Sequence, residues 1–336
     1  MSLARAFARR GKARVALQLL VSGAIVAYLV WRIDVARTID LIGDSNGLYL
    51  LGALGIFLVT TWGMAWRWQI LLASKGIREP LGWLTKLYFV GYAAGQVLPT
   101  SIGGDAVRIV EHARRRPDAK GEAAGAVLIE RALGSVGTLV LVAVGLLLAV
   151  GRYEGIALFY WLEGIFLVLC ALLAVILFSR RAGRLLARLG PLGRSLRIEA
   201  AMRSLYRALH GYRHQPRALF VVLAVTLVIQ TARVMAIWLC GEAVGVELSP
   251  LPYVVLGPLL FLVMMVPFTI NGLGVREAFF VAFLGRFAVN ADAAFATGFL
   301  FYAVTVATSI PGGLILFTSP LAKRIKRPPE KEVPLQ

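Results

Sequence analysis

The sequence predicts an all-α, polytopic integral membrane protein with about six full spans and two re-entrant helical hairpins arranged as an inverted repeat. Three observations carry this. Hydrophobic residues make up 59% of the 336, mean hydropathy is +0.76, and the apolar runs reach the roughly 20 residues that cross a bilayer. Lys and Arg gather at alternating ends of these runs, as expected of cytoplasmic loops. One short stretch occurs twice. Pro99-Thr-Ser-Ile-Gly-Gly-Asp-Ala-Val-Arg108 and Pro267-Phe-Thr-Ile-Asn-Gly-Leu-Gly-Val-Arg276 align without a gap, and Pro, Ile, Gly, Val and Arg coincide. Each has the grammar of a broken helix: proline ends one segment, glycine permits a turn, and an arginine lies about a turn into the next.

Arg5, Arg9, Arg10, Lys12 and Arg14 precede a first span at about 15–31. No small-residue cleavage site follows, so this reads as a retained helix with a cytoplasmic N-terminus. The acidic stretch with Asp34, Asp40 and Asp44 is then an external loop. A second span at 48–72 returns inward. Its Trp62, Trp66 and Trp68 read as an interfacial belt ahead of Lys75 and Arg78.

The apolar run at 84–98 is short and leads into the first motif. Arg114, Arg115, Arg116 and Lys120 follow. A full span would put those bases outside, so the segment reads as a hairpin that enters from the cytoplasm and returns there. Unwound backbone at that depth needs protein or a water-filled cavity around it. Spans at 123–150 and 156–178 come next. Segment 180–217 then holds ten arginines against Glu199 alone, with leucines such as Leu185, Leu189, Leu192 and Leu196 at helical spacing. It reads as amphipathic helix lying on anionic lipid headgroups, at the boundary between two halves.

Spans at 219–240 and 293–317 enclose a second short run, 252–266, and the second motif. Glu242, Glu247 and Asp292 flank it, so this hairpin opens outward. Lys323, Arg324, Lys326 and Arg327 keep the C-terminus inside. The unit span–hairpin–span thus occurs at 48–150 and 219–317 in opposite orientations, within one membrane domain, 1–336. An arginine precedes each motif at similar distance: Arg67 lies 41 residues before Arg108, and Arg233 lies 43 before Arg276.

The paired, Gly/Pro-interrupted segments mark the expected substrate site. Each tip starts a half-helix, at about Asp105 and Gly274. Its free amides and dipole attract an anion. Gly103, Gly104, Gly272 and Gly274 let the backbone approach a ligand, and Arg108 and Arg276 can grip a phosphodiester in bidentate fashion. Arg67 and Arg233 add to the field; for Arg67 snorkelling to the interface weighs equally. Asp105 reads as the N-cap of its half-helix. Glu130, with Arg131, and Glu277, with Arg276, are candidates for a proton relay or for structural ion pairs. His112, His210 and His214 sit beside arginines and read as solvated. Cys170 and Cys240 lie in separate apolar runs, so neither a disulfide nor a metal site is indicated, and no cofactor motif occurs. The net charge of +18 is explained by lipid headgroups rather than nucleic acid.

The two motifs, Leu98 to Arg108 and Pro267 to Glu277, resemble the signatures of the lysylphosphatidylglycerol synthase transmembrane-region family, also called flippase-like domain proteins. The resemblance covers nearly the whole chain. In members fused to a cytosolic aminoacyl-transferase domain, this region moves the aminoacylated phospholipid across the bilayer. Here the chain stops at Gln336, shortly after the last span, so aminoacyl transfer is not expected. The resemblance implies a lipid translocase of the bacterial cytoplasmic membrane, acting on an anionic or modified phospholipid or another envelope lipid. Two other readings compete. One is an intramembrane enzyme acting on a lipid phosphate, against which stands the lack of HExxH or an acidic metal cluster. The other is a non-transporting scaffold that recruits partners through 180–217.

Overall fold

The computed structural model describes residues 20, 22–97, 103–149, 161, 164–165, 168, 211–212, 214–265 and 274–318. No strand occurs among them. Helix α1 covers 22–32. It is followed by α2 (Val35–Gly43), α3 (Gly47–Ala73), α4 (Leu81–Val97), α5 (Gly103–Arg115) and α6 (Lys120–Ala149). The second half holds α7 (Pro216–Ala243), α8 (Pro250–Met265), α9 (Val275–Leu284) and α10 (Ala291–Thr318). Helices α3, α6, α7 and α10 are long and apolar enough to cross a membrane. They coincide with the expected spans at 48–72, 123–150, 219–240 and 293–317. Helix α1 covers most of the span expected at 15–31, whereas the span expected at 156–178 and the basic segment 180–217 lie largely outside the described residues.

Local chemistry sets the helix starts. The Asn46 side chain accepts from Leu48 N at 3.0 Å and opens α3, while Pro216 occupies the first turn of α7, where a missing N–H costs nothing. Helix α2 replaces the expected external loop. Asp34 caps it by accepting from Arg37 N at 3.1 Å. Asp292, at the start of α10, accepts from Asp34 N at 2.8 Å and fixes α2 on α10.

Helices α3 and α7 pair antiparallel. At one end Asn46 N donates to the Ala243 carbonyl at 2.8 Å. At the other, the Tyr212 hydroxyl donates to the Leu71 carbonyl at 3.2 Å. Between these ends two hydrogen bonds answer each other. Arg67 Nη1 donates to Thr226 Oγ1 at 2.8 Å, and Arg233 Nε donates to Thr60 Oγ1 at 3.2 Å. Thr60 and Thr226 are 166 residues apart, and so are Arg67 and Arg233. Each helix thus gives the other the same arginine-to-threonine contact.

The remaining packing exchanges in the same way. Helix α10 lies along α4, and α6 lies along α8. In the first pair Gly312 faces the Phe89 carbonyl so closely that a Cβ would fall 1.8 Å from the oxygen. In the second, Gly145 faces the Val254 carbonyl, where a Cβ would fall at 3.2 Å. Small residues at such crossings let two backbones approach.

Each half also folds a short helix pair back on itself. Gly104 of α5 lies against the backbone of Gly91 in α4, and Arg115 at the end of α5 returns to Glu79 and Trp83 at the start of α4. Phe283 and Leu284 at the end of α9 share an apolar cluster with Tyr253 of α8 and Ala243 of α7. Residues 98–102 and 266–273 lie outside the described residues.

Candidate functional site

The charges that sequence reading singled out fall into two clusters. The first joins four helices. Glu130 of α6 lies at its centre and is 3% exposed. One of its oxygens accepts from Arg67 Nη2 of α3 at 2.5 Å and from the Tyr88 hydroxyl of α4. The other accepts from both Nη atoms of Arg108 of α5 at 3.4 Å. Arg108 also donates to Asp105 Oδ1 at 2.5 Å, one turn earlier on α5. Its guanidinium lies over the Tyr88 ring, 3.9 Å from the centroid, and 5.0 Å from that of Trp68. Arg131 closes the set by binding the other Asp105 oxygen. Three guanidiniums thus share two carboxylates, in an interior where an unpaired charge is costly.

The second cluster is compact. Arg276 of α9 donates to Glu277 Oε1 from Nε at 3.0 Å and from Nη2 at 2.6 Å. The other Glu277 oxygen accepts from Gly274 N at 2.8 Å and caps the helix. Gly274 has a φ of +83°, a conformation glycine adopts without strain. Helix α1 crosses this start: a Cβ on Gly274 would lie 3.1 Å from Ile25 Cγ2. Arg276 also packs over the Tyr302 ring of α10, at 4.3 Å. Both half-helix starts therefore already carry a carboxylate, Asp105 or Glu277, each held by an arginine.

A family model for the lysylphosphatidylglycerol synthase TM region matches residues 15–312. The chain belongs to that family. No curated protein matches it. Helices long enough to span a bilayer and this family membership together make it an integral membrane protein.

Several expectations for this lysylphosphatidylglycerol synthase TM region chain change at the level of single residues. Asp105 is not the N-cap of α5, which begins at Gly103; it lies in the first turn. Arg67 does not snorkel, being 6% exposed and bound to Glu130 and Thr226. Arg131 pairs with Asp105 and not with its neighbour Glu130, because adjacent helix positions point apart. Trp68 is no interfacial residue: it is buried between Tyr88 and His112. Trp62 and Trp66 do stay exposed, stacked on each other. His112 is fully buried between Trp68 and Trp83, with Nε2 3.7 Å from Glu79. Its bases-rich neighbourhood in sequence hid that the ring turns inward. His214 is exposed as expected. His210 and Gly272 lie outside the described residues.

Gly103 and Gly104 begin α5 where it crosses α4, and Gly104 meets the Gly91 carbonyl. In this family member Gly104 lets α5 pack closely on α4. Tyr88, Trp68, Tyr92 and Thr226 were missed. Each is one apolar or weakly polar side chain in a long apolar helix, and no short-range pattern ties it to a partner tens of residues away. At the base of the bundle, Tyr212 is buried against Leu71, with Lys75 over its ring at 4.4 Å. Burial pushes its phenol up, so it stays protonated and donates.

Proposed function

We propose that the protein is a lipid translocase of the bacterial cytoplasmic membrane. In this reading both termini are cytoplasmic, and units 48–150 and 219–317 form an inverted repeat within one domain, 1–336. The observation that carries it is the answering pair Arg67–Thr226 and Arg233–Thr60 on antiparallel helices. Two halves related in this way can exchange conformations, so that a site between them faces first one leaflet and then the other. Arginine deep in a bilayer costs about 3 kcal/mol or more. Retaining Arg67, Arg108, Arg233 and Arg276 inside a spanning bundle fits a polar path for a headgroup.

The substrate is an anionic or modified phospholipid or another envelope lipid. Arg108 and Arg276, at half-helix starts that also carry Gly103, Gly104, Asp105, Gly272 and Gly274, exchange a carboxylate for the headgroup phosphate as each hairpin moves. Glu130 and Glu277 take back the arginine when the phosphate leaves, and Glu130 is the group placed to hold a proton meanwhile. The basic segment 180–217 rests on anionic headgroups. No covalent chemistry is required of the chain in this scheme.

A leaflet-exposure assay tests the proposal. The full chain is reconstituted into liposomes with fluorescent anionic and zwitterionic lipids, as wild type, Arg108→Ala and Arg276→Ala. Headgroup-selective movement that both substitutions abolish is expected. Lipid retained in its leaflet by wild type would overturn the proposal and favour the scaffold reading. Release of a cleaved headgroup would favour the enzyme.

A further inference from the structure

The two answering arginines are not equally provided for. Arg67 has a carboxylate, Glu130, as well as its threonine. Among the described residues Arg233 has only neutral partners. Its Nε donates to Thr60, its Nη2 donates to Met64 Sδ at 3.2 Å and to the Tyr92 hydroxyl. Its charge lies over the rings of Phe57, at 5.0 Å, and Tyr92, at 5.7 Å. None of these contacts engages Nη1, and among the described residues no carboxylate pairs with it. The offset of 168 that carries the first motif onto the second, Arg108 onto Arg276, carries Glu130 onto Gly298, in a stretch reading Phe295-Ala-Thr-Gly-Phe299. The second half has kept the cation and its threonine and has no acid where the first half has one. Arg233 is only half-buried and sits well inside α7, 17 residues from its start.

We propose that Arg233 is the resting anion-binding residue of the translocation path, and that a phosphodiester or free phosphate oxyanion supplies its missing counter-charge. This rests on the translocase reading and adds to it the point of first capture. Arg108 and Arg276 must give up a carboxylate to take an anion, whereas Arg233 need give up nothing. A guanidinium with a free N–H pair beside a tyrosine hydroxyl and a threonine hydroxyl offers the donors that a monoanionic phosphate oxygen pair accepts.

Native mass spectrometry of the full chain, released from detergent micelles, counts bound phosphatidylglycerol against phosphatidylcholine. It is run for wild type, Arg233→Gln, Arg233→Lys and the exposed-charge control Arg286→Gln. The expected result is at least a tenfold loss of phosphatidylglycerol affinity for Arg233→Gln, a smaller loss for Arg233→Lys and none for Arg286→Gln. Inorganic phosphate added at millimolar concentration separates the sources: displacement of lipid assigns the site to free phosphate as well, and persistence assigns it to the lipid. Unchanged affinity in Arg233→Gln overturns the inference.

Should the glutamine variant fail to fold, the wild type decides. A phosphatidylglycerol with a photoreactive headgroup is expected to label the peptides bearing Thr60–Met64 and Tyr92, and labelling confined to other peptides overturns the assignment. The two readings fail separately. Arg233-dependent binding without leaflet movement removes the translocase and leaves this site. Leaflet movement indifferent to Arg233 removes this site and leaves the translocase.

Discussion

The halves α3–α6 and α7–α10 share an element order and a packing scheme, yet they treat charge differently. In the first, Glu130 draws Arg67, Arg108 and Tyr88 together from three other helices. In the second, Arg276 and Glu277 are neighbours in sequence and satisfy each other at one helix start, while Arg233 stands apart. The same frame thus holds one network that ties helices together and one pair that does not. A network spread over several helices resists their separation; a local pair travels with its own helix. The Arg276–Glu277 pair stays within α9, which meets α10 through the Arg276 guanidinium on the Tyr302 ring. The two contacts between the halves also differ: α10 meets α4 at Gly312 more tightly than α6 meets α8 at Gly145.

The largest effect that sharpens this contrast is expected at Glu130. Glu130→Gln leaves two buried guanidiniums short of a carboxylate and costs about 3–5 kcal/mol. Glu277→Gln keeps an acceptor for Gly274 N but strands one buried guanidinium, Arg276, and costs about 3 kcal/mol, the lower end of that range. Thermal midpoints in detergent, followed by tryptophan fluorescence, compare the two, and equal losses would break the contrast. Next comes Gly312→Ala, which drives a methyl into the Phe89 carbonyl and costs about 3 kcal/mol, against less than about 1 kcal/mol for Gly145→Ala. The same melting experiment reads it.

A smaller difference separates the answering arginines. Arg67→Gln removes one of Glu130's partners and costs about 2–3 kcal/mol. Arg233→Gln strands no acid and stays within about 1 kcal/mol. The reverse order would mean that Arg233 has a structural counter-charge. The smallest effect is expected at Arg131, whose side chain is 44% exposed. Arg131→Gln should lower stability by less than about 1 kcal/mol, since water screens its pairing with Asp105.

Much of the frame was legible because membrane spans announce themselves in apolar length and in flanking charge. The short runs before each Pro–Gly motif marked α4 and α8, and Gly274 was correctly placed at the start of α9. Helix α2 was not legible. It is nine residues long, and its acids suggested a loop, although Asp34 is a good N-cap. The site was legible as a list of charges but not as a set of pairings. Arg67, Arg108 and Glu130 are 22 to 63 residues apart, and their meeting depends on how α3, α5 and α6 rotate about their axes. The answering of Arg67 by Thr226 and of Arg233 by Thr60 needed the antiparallel register of α3 and α7. His112 was misread because its neighbours in sequence are bases that face outward.

The central claim is that the two hairpins open to opposite sides of the membrane. Single cysteines report on this in a background with Cys170→Ser and Cys240→Ala. Asp118→Cys lies just beyond the end of α5, at a side chain 70% exposed. Arg286→Cys lies just beyond the end of α9, also exposed. A membrane-impermeant maleimide added to intact spheroplasts is predicted to label Arg286→Cys and to reach Asp118→Cys only after the membrane is opened. Labelling of both from the same side would contradict the account.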